Sequence, residues 1–83
     1  SQSAALIADN GGTTDPIFMA LDNSAEVYSI EDGGAQVLRP ISTPADPSSS
    51  SEAKIYVKGG KLVIQYNDAG TVRWKFLDLT FYN

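Results

Sequence analysis

The sequence has no cysteine and no histidine among its 83 residues. Without cysteine it can form no disulfide, thiolate zinc site, iron–sulfur cluster or cysteine nucleophile. Without histidine it also lacks the commonest metal ligand and general base. A chain of this length makes at most one small domain, and such domains are usually reinforced by disulfides, a metal or a partner subunit. Association with another chain is the reinforcement that remains, and the composition argues against an enzyme.

Positive charge is scarce at the front. From Ser1 to Glu52 there are eight acids against Arg39 alone, whereas from Ala53 to Asn83 five bases face two acids. The net charge of −4 argues against nonspecific nucleic-acid binding, because phosphate-binding modules are basic overall. Long apolar runs are missing too. The longest, Ala4 to Ala8 and Ile17 to Leu21, fall far short of the roughly 18 residues that cross a bilayer. Ser1-Gln2-Ser3 offers no positive start for a secretory signal, so the expectation is a soluble chain with neither membrane nor nucleic-acid partner.

What the sequence has in abundance is strand pattern. Period-two alternation runs through Lys54–Lys58, Lys61–Tyr66 and Thr71–Phe76. Gly59-Gly60 separates the first two runs, and Asn67-Asp68-Ala69-Gly70 the second and third; both are hairpin turn signals. A three-stranded antiparallel meander follows. Its buried face is expected to be Ile55, Val57, Leu62, Ile64, Tyr66, Val72, Trp74 and Phe76, with Lys54, Tyr56, Lys58, Lys61, Val63, Gln65, Thr71, Arg73 and Lys75 outward. After Phe76 the apolar positions shift by one, which predicts a bulge or a strand end covered on both faces. The last six residues are then expected to leave the local sheet.

A second hairpin is predicted over residues 26–41, turning at Glu31-Asp32-Gly33-Gly34-Ala35; Pro40 has no amide to donate, so its second strand is an edge strand or ends there. Residues 42–52 read as an exposed Pro/Ser loop. Residues 1–25 read as an irregular arm, in which Ser3–Asp9 could form a short helix and Ile17–Leu21 a strand. The fold class expected is mainly β: a small antiparallel sandwich or open barrel, one domain over 1–83, with a C-terminal meander and an irregular N-terminal arm.

Chemistry-bearing constellations are weak. A Ser-Lys dyad drawn between Ser42–Ser51 and Lys54 has nothing to bury the lysine and lower its pKa. Asp15, Asp22, Glu31 and Asp32 sit beside turn residues, not across a cleft. Asp9-Asn10 and Asp22-Asn23 lack the spacing of a calcium loop, so turn chemistry explains them better. The glycine pairs precede no helix carrying a P-loop lysine. No catalytic residue, metal ligand or cofactor site is expected. The basic set Lys54, Tyr56, Lys58, Lys61, Arg73 and Lys75 reads first as a solvated sheet face. Its second reading is a surface that receives the acidic front of the same or a neighbouring chain, and its third a nucleic-acid platform.

The stretch Ala53 to Thr80, which contains Lys-Ile-Tyr-Val and Val-Arg-Trp-Lys-Phe-Leu-Asp-Leu-Thr, resembles a β-module of tailed-bacteriophage virion proteins, where similar pieces occur in fibres and appendages. It covers about a third of the chain. The chain ends three residues after Thr80, and the expectation is an accessory protein without a fibre shaft. Small cysteine-free β proteins with an apolar N-terminal arm also resemble phage capsid decoration, or cement, proteins. That resemblance implies a structural virion protein on the capsid surface, a homo-oligomer and most simply a trimer, with the major capsid protein as partner. Leu6, Ile7, Ile17, Phe18, Met19 and Leu21 would bind the shell, while Lys54, Tyr56, Lys58, Lys61, Arg73, Lys75, Phe81 and Tyr82 would form the oligomer surface. The alternative is a fibre or tail-appendage domain that binds a host-surface glycan.

Overall fold

The computed structural model describes residues 4–81. Tyr82, assigned above to the oligomer surface, lies outside the described residues. The protein is all β, with two three-stranded antiparallel sheets and no helix among the described residues. The strands are β1 (Phe18–Asp22), β2 (Ala25–Ile30), β3 (Gln36–Leu38), β4 (Ala53–Lys58), β5 (Lys61–Asp68) and β6 (Thr71–Asp78). Each sheet follows chain order, β1-β2-β3 and β4-β5-β6. The two compact units divide between Leu38 and Arg39.

In the first unit, β1 and β2 join through a two-residue turn at Asn23-Ser24, both at positive φ. The register slips between Ala20, opposite Tyr28, and Leu21, opposite Glu26. The extra residue is therefore Val27 on β2, and β1 itself runs without interruption. The Phe18 and Tyr28 rings, diagonal neighbours across the β1–β2 pair, meet edge to face at 6.2 Å. The β2–β3 turn is closed by the Glu31 amide donating to the Ala35 carbonyl at 3.0 Å. β3 is an edge strand and ends at Leu38, two residues before Pro40, so the proline removes no donor from the ladder. Residues 4–9 form no helix, because so short a segment cannot offset the cost of helix nucleation without packing. The irregular arm expected over 1–25 gives way to strand at Phe18.

In the second unit the meander is present, but its faces differ from the expected ones. β4 and β5 join through Gly59-Gly60, both left-handed, with Lys58 opposite Lys61. β5 and β6 join through Ala69-Gly70 alone, at φ 51° and 96°, with Asp68 opposite Thr71. A two-residue turn pairs even-numbered with odd-numbered residues. Gln65 thus faces Trp74, Val63 faces Phe76, Ile64 faces Lys75 and Tyr66 faces Arg73. Directly opposed residues share a sheet face. One face therefore carries Lys54, Tyr56, Lys58, Lys61, Val63, Gln65, Asn67, Val72, Trp74 and Phe76, and the other Ile55, Val57, Leu62, Ile64, Tyr66, Arg73, Lys75 and Leu77. The bulge expected after Phe76 is absent, since the β5–β6 register is unbroken to Asp78 opposite Lys61. The Leu79 amide still bonds the Gly60 carbonyl at 2.8 Å, so departure from the sheet begins after it.

The buried side chains of this unit lie on the first face, where Tyr56, Val63, Gln65 and Asn67 are all inaccessible. The Pro/Ser segment, most of it exposed as expected, is tied to this face as a strap. Pro47 is fully buried, and its carbonyl accepts from the Asn67 Nδ2 at 2.8 Å. The Lys54 Nζ donates to the Ala45 carbonyl at 2.7 Å and the Lys58 Nζ to the Thr43 hydroxyl. The strap is anchored at its ends as well. The Ile41 amide bonds the Val57 carbonyl at 3.0 Å beside a parallel bridge from Pro40 to Val57. At the other end the Ser51 amide donates to the Asn67 carbonyl and the Asn67 amide to the Glu52 carbonyl. Proline carries apolar ring surface and needs no amide partner, so a Pro-rich strap can cover a sheet face without burying unsatisfied donors.

Candidate functional site

The shell-binding residues expected in the arm fall into two settings. Leu6 and Ile7 lie in the irregular segment before the first turn, Leu6 at 81% exposure. Ile17 is half-buried and donates its amide to the Ile30 carbonyl at 2.8 Å, while Phe18, Met19 and Leu21 project, exposed, from β1. Between the two settings the chain is tied by Asn10, whose Nδ2 lies within 3.1 Å of the Thr13 carbonyl and 3.0 Å of both the Asp15 carbonyl and the Asp32 carboxylate. The Asp9 carboxylate accepts from the Gly11 amide at 2.8 Å and the Asn10 side-chain oxygen from the Gly12 amide at 3.1 Å. These are Asx-turn contacts. Among the described residues no three acidic side chains gather as a metal-binding group.

The basic set expected on one outer face is divided between two. Lys54, Tyr56, Lys58 and Lys61 share the strapped face. There Tyr56 is core, Lys54 and Lys58 bind the strap, and the Lys61 ammonium lies 5.5 Å from the Phe76 ring centroid. Arg73 and Lys75 lie on the opposite face. The cause is again the even-length Ala69-Gly70 turn, which sets the even-numbered residues of β6 on the same face as the odd-numbered residues of β5 and so sends Arg73 and Lys75 to the other side. The Arg73 Nε meets the Asp68 Oδ2 at 2.7 Å, an exposed pair of small energetic value. Phe81 is exposed.

Arg73 and Lys75 border a hollow of about 590 Å³ lined by Ile64, Tyr66, Val72, Arg73, Trp74 and Lys75. Trp74 is 49% exposed, Phe76 62%, and Ile55, Ile64, Tyr66 and Leu77 are also open. Trp74 and Phe76, expected in the core, therefore lie beyond the reach of the strap. The signal for this was in the sequence. Ile55-Tyr56-Val57 and Leu62-Val63-Ile64 are consecutive apolar triplets, and a triplet puts apolar surface on both faces of a strand.

Two polar residues matter that alternation had marked as surface or turn. Gln65 is 0% exposed, and neither its Oε1 nor its Nε2 meets a hydrogen-bond partner among the described residues. Such a group costs about 1–3 kcal/mol. Asn67 makes four hydrogen bonds, two through its side chain to Pro47 and Gly70 and two through its backbone to Ser51 and Glu52. At the end of β6 the Thr80 side chain and amide hydrogen-bond the Asp78 carboxyl and hold it below its ordinary value, helped by the Lys61 charge. Because the folded value is lowered, this small contribution is present at neutral pH and lost as pH falls through the folded value.

No family model matches the sequence, and neither a curated protein nor a solved structure matches it.

Proposed function

We propose that this chain is a structural assembly protein, and specifically a capsid decoration protein that forms an oligomer, most simply a trimer, on a phage head and stabilises it against the major capsid protein. One observation carries the reading. Among the described residues Tyr56 and Val63 are the buried hydrophobic ones, whereas Leu6, Leu21, Ile55, Trp74, Phe76, Leu77 and Phe81 are exposed. So much uncovered apolar surface on a small chain marks an interaction surface. The resemblance of small cysteine-free β proteins with an apolar N-terminal arm to capsid decoration proteins directs the reading to the capsid.

The expected division of labour is that the N-terminal arm reaches the shell and the sheets hold the copies together. Deleting residues 1–8 should then abolish binding to expanded capsids while the oligomer, measured by light scattering, persists. Retained capsid binding by the shortened chain would overturn the role of the arm. A stable monomer that fails to bind expanded capsids would overturn the function.

A second reading, a fibre or tail-appendage domain that binds a host glycan, gains from the hollow beside Tyr66, Trp74, Arg73 and Lys75. Exposed aromatic rings beside hydrogen-bond donors suit a sugar's apolar face and hydroxyls. Here Trp74 is the residue to change, since Tyr56 is buried. Glycan-array binding that Trp74→Ala removes would favour this reading, and a blank array with the unaltered chain would end it.

A further inference from the structure

We propose that the free edge of β6 is the seam between copies of this chain, and that its occupant is β1 of a second copy, an apolar strand that ends in Asp22. The inference rests on the assembly reading above and names the contact that would hold the copies together.

β6 is the outer strand of its sheet, with eight residues paired to β5 on one side. The opposite edge of the sheet is partly occupied, because Pro40 and Ile41 lie against Val57 of β4. Edge strands are normally blunted by proline, a bulge, shortness or inward charge. β6 has no proline and no register slip, and it is as long as any strand described here. Its two bases are the one guard it carries. Trp74, Phe76 and Leu77 stand exposed along it. Such an edge accepts an added strand, with main-chain bonds for affinity and side-chain surfaces on both faces for selection.

Charge selects the occupant. Residues 1–38 contain six acids and no base, while residues 39–83 hold all six bases of the chain. Within the acidic unit β1 is an outer strand, uninterrupted because the bulge belongs to β2. It exposes Phe18, Met19 and Leu21 and ends in Asp22. An apolar strand with an acidic end complements an apolar strand guarded by Arg73 and Lys75. Two β6 edges would instead gather Arg73 and Lys75 from both copies at one seam, where like charges repel. A β1-to-β6 contact joins different surfaces, so it leaves a free β1 and a free β6 until a ring closes. The trimer expected from the resemblance is one such ring.

The test is sedimentation velocity of the full chain over a range of concentrations at low salt. Arg73→Glu with Lys75→Glu should weaken association at least tenfold, Asp22→Lys should weaken it several-fold, and the triple variant should associate more tightly than the double. Circular dichroism checks that each variant folds. Should the double reversal not fold, Arg73→Gln with Lys75→Gln carries the same expectation to a smaller degree. Hydrogen exchange gives an independent readout, because outward amides of β1 and β6 should slow together as concentration rises. A wild-type chain that stays monomeric, a double variant that associates like wild type, or slowing in β6 without β1 would each overturn the proposal. Copies that join through β6 but never bind a capsid would refute the capsid reading and leave this seam intact.

Discussion

Tyr56→Ala is expected to unfold the C-terminal unit, whereas Trp74→Ala is expected to leave it folded. Tyr56 is 4% exposed, sits on the central part of the strapped face and faces the buried Val63 across the β4–β5 ladder. Removing a buried aromatic ring costs about 3–5 kcal/mol, comparable with the whole stability of a small domain. Trp74 is the larger ring but is half exposed on the edge strand, so its loss should cost about 1–2 kcal/mol. From alternation alone the ranking is the reverse, with Trp74 as core and Tyr56 outward. Urea denaturation of both variants decides between the two rankings. Tyr56→Phe separates ring from hydroxyl and should stay close to wild type, because the ring supplies most of the burial. If Trp74→Ala proves the more damaging, the assignment of the strapped face as the core is wrong.

The elements themselves were legible because local rules set them. Period-two runs, paired glycines at 59 and 60 and the Asp32-Gly33 turn signal place four of the six strands within a residue or two, while β3 stops three residues short of the expected Ile41. β1 was legible as an apolar run without alternation, and its exposed side chains alternate between the two sheet faces. The choice of face depends on the length of one turn. Asn67-Asp68-Ala69-Gly70 reads naturally as a four-residue turn with glycine in the left-handed position. In the structure the turn contracts to Ala69-Gly70, with Ala69 itself at φ 51°. A left-handed alanine costs on the order of 1–2 kcal/mol, which sequence rules count against it. The hydrogen bond from the Gly70 amide to the Asn67 side chain at 2.7 Å helps to offset that cost.

The strap was the least legible part, for a different reason. Ser-Thr-Pro-Ala-Asp-Pro-Ser-Ser-Ser-Ser has almost no hydrophobic content, so patterning assigns it to solvent. Its cover is made of proline rings and backbone carbonyls, and the carbonyls bind Lys54 and Asn67. Those partners lie nine and 20 residues away in sequence, beyond the reach of any local rule. The candidate surface follows from the same event. With Tyr56, Val63 and Gln65 buried on the strapped face, apolar surface on the other face and along β6 is left open, and the exposed hollow lies there.

Asn67→Ala should show whether that strap is integral to the fold. The side chain is buried and bonds in two directions, its Nδ2 donating to the Pro47 carbonyl at 2.8 Å and its Oδ1 accepting from the Gly70 amide at 2.7 Å. Truncation leaves the Pro47 carbonyl without its donor and the left-handed turn without its acceptor. At about 1–3 kcal/mol for the buried Pro47 carbonyl left unpaired, and less for the Gly70 amide, which solvent reaches, the expected loss is about 1–4 kcal/mol. Asn67→Asp divides the two contacts, because the carboxylate keeps the Gly70 bond but cannot donate to Pro47. Burial beside a carbonyl raises the folded pKa of such an acid. The aspartate variant should therefore be weakened at neutral pH and recover stability as pH falls through that raised value, when its protonated oxygen can donate again. Urea midpoints for Asn67→Ala at pH 7, and for Asn67→Asp from pH 7 to pH 4, read both effects. A wild-type midpoint for the alanine variant, or an aspartate variant that only loses stability on acidification, would mean that the strap adds little to holding the unit together.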